Sequence, residues 1–205
     1  MRAARRVADA NMRPMSAPPP KPAIRVWPLP YEERLEQRPD AQVDLVVIHC
    51  TELPDLATAR EFGERLLYEA TDTGNSGHYY IDRDGSVLLF VHPGRVAHHC
   101  RGYNDRSIGI ELVNSGRYPD WLDSRHQEMR EPYPQAQVDA LSGLLSSLRR
   151  SLTGLRFIAG HEDLDTAMVT ASDDGALQVA RKRDPGPLFP WDALLAECGL
   201  ERLRP

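Results

Sequence analysis

Several things are scarce or absent in this chain of 205 residues, and each absence narrows its role. No apolar run approaches the roughly 20 residues that a membrane-spanning helix needs. A basic start (Arg2, Arg5, Arg6) is not followed by an apolar stretch. Asp9, Asn11 and Arg13 interrupt it, and Pro18-Pro19-Pro20 follows, so export by the general secretory route is not expected. Cysteine is sparse and odd in number: Cys50, Cys100 and Cys198 stand far apart, as reduced thiols of a cytoplasmic protein would rather than a disulfide framework. Positive charge is not in excess. The net charge of −5 argues against non-specific nucleic-acid or anionic-membrane partners. The His-Glu-x-x-His helix of common zinc proteases is missing, and there is no internal repeat.

What remains is ordinary for one globular domain, at 41% hydrophobic and 27% charged residues. Residues 1–23, rich in Arg, Ala and Pro, are expected to form a flexible arm, with the domain over 24–205. Residues 24–42, with prolines at 28, 30 and 39, read as extended and irregular. Residues 44–49 form a β-branched apolar run of buried-strand type. Asp55 is placed to cap a helix whose apolar face is Leu56, Ala59, Phe62, Gly63, Leu66 and Leu67. Two short apolar runs, 78–82 and 87–91, flank Arg83-Asp84-Gly85-Ser86 and predict a hairpin. Residues 108–113 form another strand, and 114–133 a long polar loop. Pro134 opens the longest helix, whose face is Val138, Leu141, Leu144, Leu145, Leu148 and Leu152, with Gly154 as its stop. A strand at 157–160, a polar insertion at 162–180 and a helix from about Pro190 complete the chain. The pattern predicts an α/β domain around one mixed central β-sheet flanked by helices.

Three residues at element ends carry a candidate chemistry. His49 closes an apolar strand, His161 follows another, and Asp184 precedes Pro185-Gly186-Pro187, which fixes the backbone. Each has a plain structural alternative: a hydrogen-bonded core histidine, or a turn aspartate. Together they offer Zn2+ two imidazoles and a carboxylate, with a fourth position left open. Strand alternation sends Ile108 and Ile110 to one face, and Gly109 and Glu111 to the other. A cleft-facing Glu111 can move a proton from water to a leaving amine. Lys182, two residues before Asp184, falls on the same side and can stabilise an oxyanion. His78, His98 and His99 add imidazoles that can orient a ligand or touch substrate. Cys50 alternates away from His49 and is expected in the core.

In order along the chain, Val46-Val47-Ile48-His49, Ser76-Gly77-His78-Tyr79-Tyr80, His99 through Asn104-Asp105-Arg106-Ser107-Ile108-Gly109-Ile110-Glu111, Gly160-His161 and Lys182-Arg183-Asp184-Pro185-Gly186-Pro187 form a specific set. With it the chain resembles the zinc-dependent N-acetylmuramoyl-L-alanine amidases of type 2, over about residues 43–197. That family includes AmpD-type enzymes, T7-type lysozyme and the peptidoglycan recognition proteins. The resemblance implies zinc held by His49, His161 and Asp184, proton transfer by Glu111, and oxyanion stabilisation by Lys182. It also implies substrate contacts from His99 and Asn104, and a muropeptide or peptidoglycan substrate. Asp184 in place of a cysteine, and Gly77 in place of a tyrosine, point to the AmpD-like branch and leave proton transfer to Glu111. With no signal peptide expected, soluble anhydromuropeptides from wall recycling are the expected substrate. A phage-type endolysin acting on intact wall and a non-catalytic peptidoglycan-binding module are the alternatives. Two departures stand out: the link from His161 to Lys182 is long, with an insertion at 165–180 expected to cover or reshape the groove, and the region after His49 is trimmed to one helix at 55–69.

Overall fold

A computed structural model describes residues 22–205. The expected arm therefore lies, except for its last two residues, outside the described residues.

The parallel centre of the sheet forms where the apolar runs are most β-branched. β2 (Leu45–Cys50) pairs in parallel with β5 (Ser107–Leu112) on one side and with β6 (Phe157–Gly160) on the other. β3 (Tyr79–Ile81) joins β5 in parallel, and the hairpin turn returns the chain as antiparallel β4 (Val87–Leu89). β1 (Ile24–Val26) and β9 (Glu201–Arg202) close the edges, giving seven strands in the order β1-β4-β3-β5-β2-β6-β9. Residues 24–42 are thus not wholly irregular: their first turn of chain pairs with β4 through Ile24↔Val87.

Alternation along these strands makes two faces. Val46, Ile48, Ile108, Ile110, Leu112 and Ile158 face the helices, where α2 (Gln135–Ser151) packs Leu141, Leu144, Leu145 and Leu148 against them. α4 (Trp191–Cys198) contributes Leu194 and Cys198 to the same core and ends at Gly199 in the left-handed conformation. Gln137 of α2 is fully buried, its amide donating to the carbonyls of Ile81, at the end of β3, and Val113, just past β5.

The opposite face is only partly covered. α1 (Leu56–Glu64) lies there, capped by Asp55, whose carboxylate accepts from Thr58 N–H at 2.7 Å. This helix is shorter than the one expected over 55–69. The Leu67 and Tyr68 amides donate to the Thr73 carbonyl instead of continuing the helical ladder. Leu66 and Leu67 are consequently exposed, not on a buried face. The polar insertion also carries structure that composition did not reveal. After α3 (His161–Leu164), β7 (Met168–Thr170) and β8 (Gln178–Ala180) form a separate antiparallel hairpin.

Candidate active site

Parallel register places the key residues side by side at the carboxyl ends of the central strands, where α/β sheets open their clefts. His49 pairs with Glu111 across β2 and β5, and Glu111 with Tyr80 across β5 and β3. Ile48 pairs with Gly160, so His161 emerges one step beyond β6, next to His49. The turn carrying Asp184 is tied to this edge by Glu162 N–H on the Asp184 carbonyl (2.9 Å) and by Tyr133 Oη–H on the Pro185 carbonyl (2.7 Å).

The three ligand candidates meet. His49 Nδ1 lies 2.9 Å and His161 Nδ1 3.2 Å from Asp184 Oδ2, and all three residues are buried. Tetrahedral zinc with bonds near 2.0–2.1 Å spaces its ligands by roughly 3.3 Å, close to both distances from Asp184, and all three ligand atoms lie within 4.8 Å of one another. Asp184 Oδ1 is buried with no hydrogen-bond partner, an orphan that a cation would satisfy. Burial opposes ionisation of Asp184, yet His161 and His49 beside it hold its carboxyl well below the usual range. Burial also pushes His49 down to about 4, keeping it neutral and able to ligate. The donor set fits zinc.

Glu111, Lys182, His99 and Asn104 line the same cavity of about 550 Å³ as the ligand candidates. The seven residues to which the resemblance gives a ligand, catalytic or substrate role, His49, His161, Asp184, Glu111, Lys182, His99 and Asn104, are brought together there. Burial, then the Asp184 and Glu52 carboxylates, raise Glu111 to about 8, with Lys182 opposing. Gly77 explains how this carboxylate is seated: a Cβ there would stand 2.8 Å from Glu111 Cγ. A side chain at 77 and Glu111 in this position compete for one space. Asn104 Oδ1 accepts from the backbone N–H groups of His99 and Cys100 at 3.0 and 2.7 Å, leaving its amide nitrogen for the cavity.

The other histidines divide. His78 is fully buried; its Nδ1 accepts from Gly109 N–H at 3.0 Å, its Nε2 lies 2.9 Å from Arg38 Nη2 and 3.0 Å from the Arg95 carbonyl, and it serves the sheet. His98 packs edge-on against Tyr68 at the cavity rim and is not a freely exposed side chain. Cys50 is buried as expected, its thiol directed at the Asn114 carbonyl.

Sequence reasoning missed the cavity wall. Arg117 and Glu52 form a nearly buried ion pair, with Nε–Oε1 at 2.6 Å and Nη2–Oε2 at 2.8 Å. Glu52 adopts a positive φ of 49°, which these contacts hold in place. Arg117 also donates to the carbonyls of Ala180 (2.9 Å) and Arg181 (3.3 Å), fixing the strand that delivers Lys182. Asp165 and Arg181 pair across the neck of the β7–β8 hairpin. Trp121, whose Nε1–H donates to the Glu52 carbonyl, adds an aromatic side.

A sequence profile described as N-acetylmuramoyl-L-alanine amidase matches residues 39–187. The chain belongs to this amidase family. AmiD, an N-acetylmuramoyl-L-alanine amidase of Escherichia coli strain K12, is 38% identical over 181 residues, covering 78% of this chain and 57% of that protein. An endolysin of Klebsiella phage KP32 is 33% identical over 85 residues, 42% of this chain and 52% of its own length. The chain thus spans little more than half of these curated relatives. Among solved structures, E. coli AmiD in complex with anhydro-N-acetylmuramic acid-L-Ala-D-gamma-Glu-L-Lys superposes with a TM-score of 0.59 at 25% identity, covering 80% of this chain and 59% of that one. The Clostridium intestinale endolysin LysCS superposes at 0.62 with 17% identity, covering 89% and 99%, a likeness of fold.

Proposed function

We propose that this amidase-family chain hydrolyses the amide between the lactyl group of N-acetylmuramic acid, in its ordinary or 1,6-anhydro form, and L-alanine of the stem peptide. The observation that carries this is the convergence of His49, His161 and Asp184, with its orphaned Oδ1, beside Glu111 and Lys182 in one open cavity. Zinc, when bound by those three residues, supplies Lewis-acid polarisation of the scissile carbonyl and a more acidic water. Glu111, raised toward neutrality by burial, accepts the proton of the attacking water and returns it to the leaving amine. Lys182 donates to the oxygen on which charge develops. His99 and Asn104 line the substrate path. A cavity of about 550 Å³ suits a muramyl-peptide segment.

AmiD carries an anhydromuramyl tripeptide in its complex, which supports a soluble anhydromuropeptide of wall recycling as substrate here. Three free, buried cysteines suit a compartment that keeps thiols reduced and support a cytoplasmic setting. Among the described residues, no helix is long and apolar enough to cross a membrane. The endolysin relatives favour a second reading, cleavage of intact peptidoglycan.

The test is to incubate zinc-loaded protein with a defined anhydromuropeptide and with intact sacculi, and to identify products by mass spectrometry. Free stem peptide is expected, and is lost on chelation and in Asp184→Ala together with bound zinc. Preference for the soluble substrate supports recycling, and preference for sacculi supports the endolysin reading. Binding without cleavage of either overturns the hydrolase.

A further inference from the structure

His49 does not end at the ligand cluster. Its far nitrogen, Nε2, lies 3.0 Å from His99 Nδ1. His99 Nε2 lies 3.2 Å from Ser107 Oγ, and Ser107 Oγ lies 2.6 Å from the Tyr103 carbonyl. The direction of every bond follows from the last one. A carbonyl can only accept, so the single Ser107 hydroxyl proton points at Tyr103. Ser107 Oγ then has only lone pairs for His99, and His99 Nε2 must carry the proton. A neutral His99 therefore has a bare Nδ1, which accepts from His49 Nε2–H. That leaves His49 Nδ1 bare, 2.9 Å from Asp184 Oδ2, two acceptors that face each other until a cation stands between them.

The surroundings are built for this chain of bonds. Ser107 is fully buried at the start of β5. A Cβ on Gly109, two residues on and on the same face, would lie 2.6 Å from His99 Cγ, so only glycine leaves room for the ring. Asn104 holds the His99 backbone N–H at 3.0 Å. His99 and His49 meet edge to face, their ring centres 5.1 Å apart. His161 lacks an equal support: its Nε2 faces Asp165 Oδ2 at 3.9 Å, beyond hydrogen-bond distance.

We infer that Ser107 and His99 are positioning residues that hold His49 in its Nε2-protonated tautomer, presenting Nδ1 as a metal ligand. The inference deepens the zinc reading above and rests on it. A histidine that gives Nδ1 to a cation keeps its proton on Nε2 and needs an acceptor there. Both ring nitrogens of His99 are then engaged within the protein, and it meets substrate only through its carbon edge.

The test uses the full chain, metal-free and zinc-titrated. Ring 15N shifts of the zinc-loaded protein should show Nε2–H tautomers at His49 and His99, assigned by His49→Gln and His99→Asn. Zinc affinity, measured against a chromophoric chelator, should fall about tenfold in Ser107→Ala and about tenfold or more in His99→Leu, the lower range for loss of a ligand's hydrogen-bond partner. His99→Asn, whose side-chain oxygen can take the place of Nδ1, should keep affinity within about threefold. A merely structural role would not give this rescue. An Nδ1–H tautomer at His99, or unchanged affinity in both Ser107→Ala and His99→Leu, overturns the inference while the zinc reading stands. Wild-type protein that binds no zinc overturns both.

Discussion

Two regions meet at the cavity, and they are built by opposite means. The floor is the carboxyl edge of β2, β5 and β6, where His49, Glu111 and His161 stand in register on an apolar sheet. The wall comes from residues 114–133 and the hairpin neck at 165–181, joined by the bonds of Arg117 to the Ala180 and Arg181 carbonyls, while a buried ion pair ties Arg117 to Glu52 after β2. The floor sets which atoms react, because strand register leaves them little freedom. The wall sets where Lys182 and the groove side lie, and its geometry depends on a few polar contacts between distant segments.

The floor should give the largest effects on chemistry. Glu111→Gln should lower kcat by about 10²–10⁴, the usual share of a proton-transfer group, with KM little changed in steady-state assays. Its stability should move the other way. The folded-state pKa of about 8 lies above the ordinary 4.5, so the folded protein holds this proton more tightly. The stabilising contribution is full below pH 4.5 and is lost as pH rises through about 8. Metal-free Glu111→Gln should therefore melt higher than wild type near pH 8, with the difference fading toward pH 4.5. A gain of about 1 kcal/mol would read as roughly 2–4 °C. Equal melting at pH 8 would mean that the carboxylate is not desolvated as described. Gly77→Ala tests the same seat without touching the carboxylate. A Cβ 2.8 Å from Glu111 Cγ should displace it and cost much of the same kcat, with zinc affinity unchanged.

The wall should respond in stability first. Arg117→Met leaves Glu52 charged, unpaired and almost buried, a defect that costs about 3–5 kcal/mol in comparable cases. Thermal melts should show it plainly. It also frees the Ala180 and Arg181 carbonyls, so kcat should fall as Lys182 loses its fixed approach. An Arg117→Met protein with normal kcat at a temperature where it is folded would separate the wall from the chemistry.

The same division decides what the sequence could reveal. Residues 44–49, 108–113 and 157–160 alternate or run apolar, so their strands, faces and terminal residues can be read from pattern alone. The helix face from Leu141 to Leu148 was equally plain. Glu52–Arg117 was not, since 65 residues separate a loop glutamate from a loop arginine and no periodicity links them. The β7–β8 hairpin escaped because Thr170, Gln178 and the exposed Met168 give no apolar alternation. Leu66 and Leu67 misled in the other direction: they fit a helical stripe that the Thr73 carbonyl ends early. Lys182 had a signal that was available, being one of only two lysines among 25 basic residues.

The smallest expected effect lies where the two loops of the wall touch. Asp173, in the hairpin, accepts from Ser124 N–H at 2.7 Å and from its hydroxyl at 2.8 Å, while the Ser172 amide donates to the Leu122 carbonyl at 2.8 Å. These contacts are exposed, so water replaces them readily and Asp173→Ala should hardly move the melting temperature. The neck pair Asp165–Arg181 and the bonds from Arg117 remain, so zinc affinity and kcat on a small muropeptide should also hold. What should change is the outer groove. A hairpin held to the 114–133 loop there only by the Ser172–Leu122 backbone bond keeps the rim less firmly at its width, and activity on sacculi relative to the soluble substrate should shift modestly. An unchanged ratio would confine the wall's role to carrying Lys182, while a large loss on both substrates would show that the latch reaches the floor.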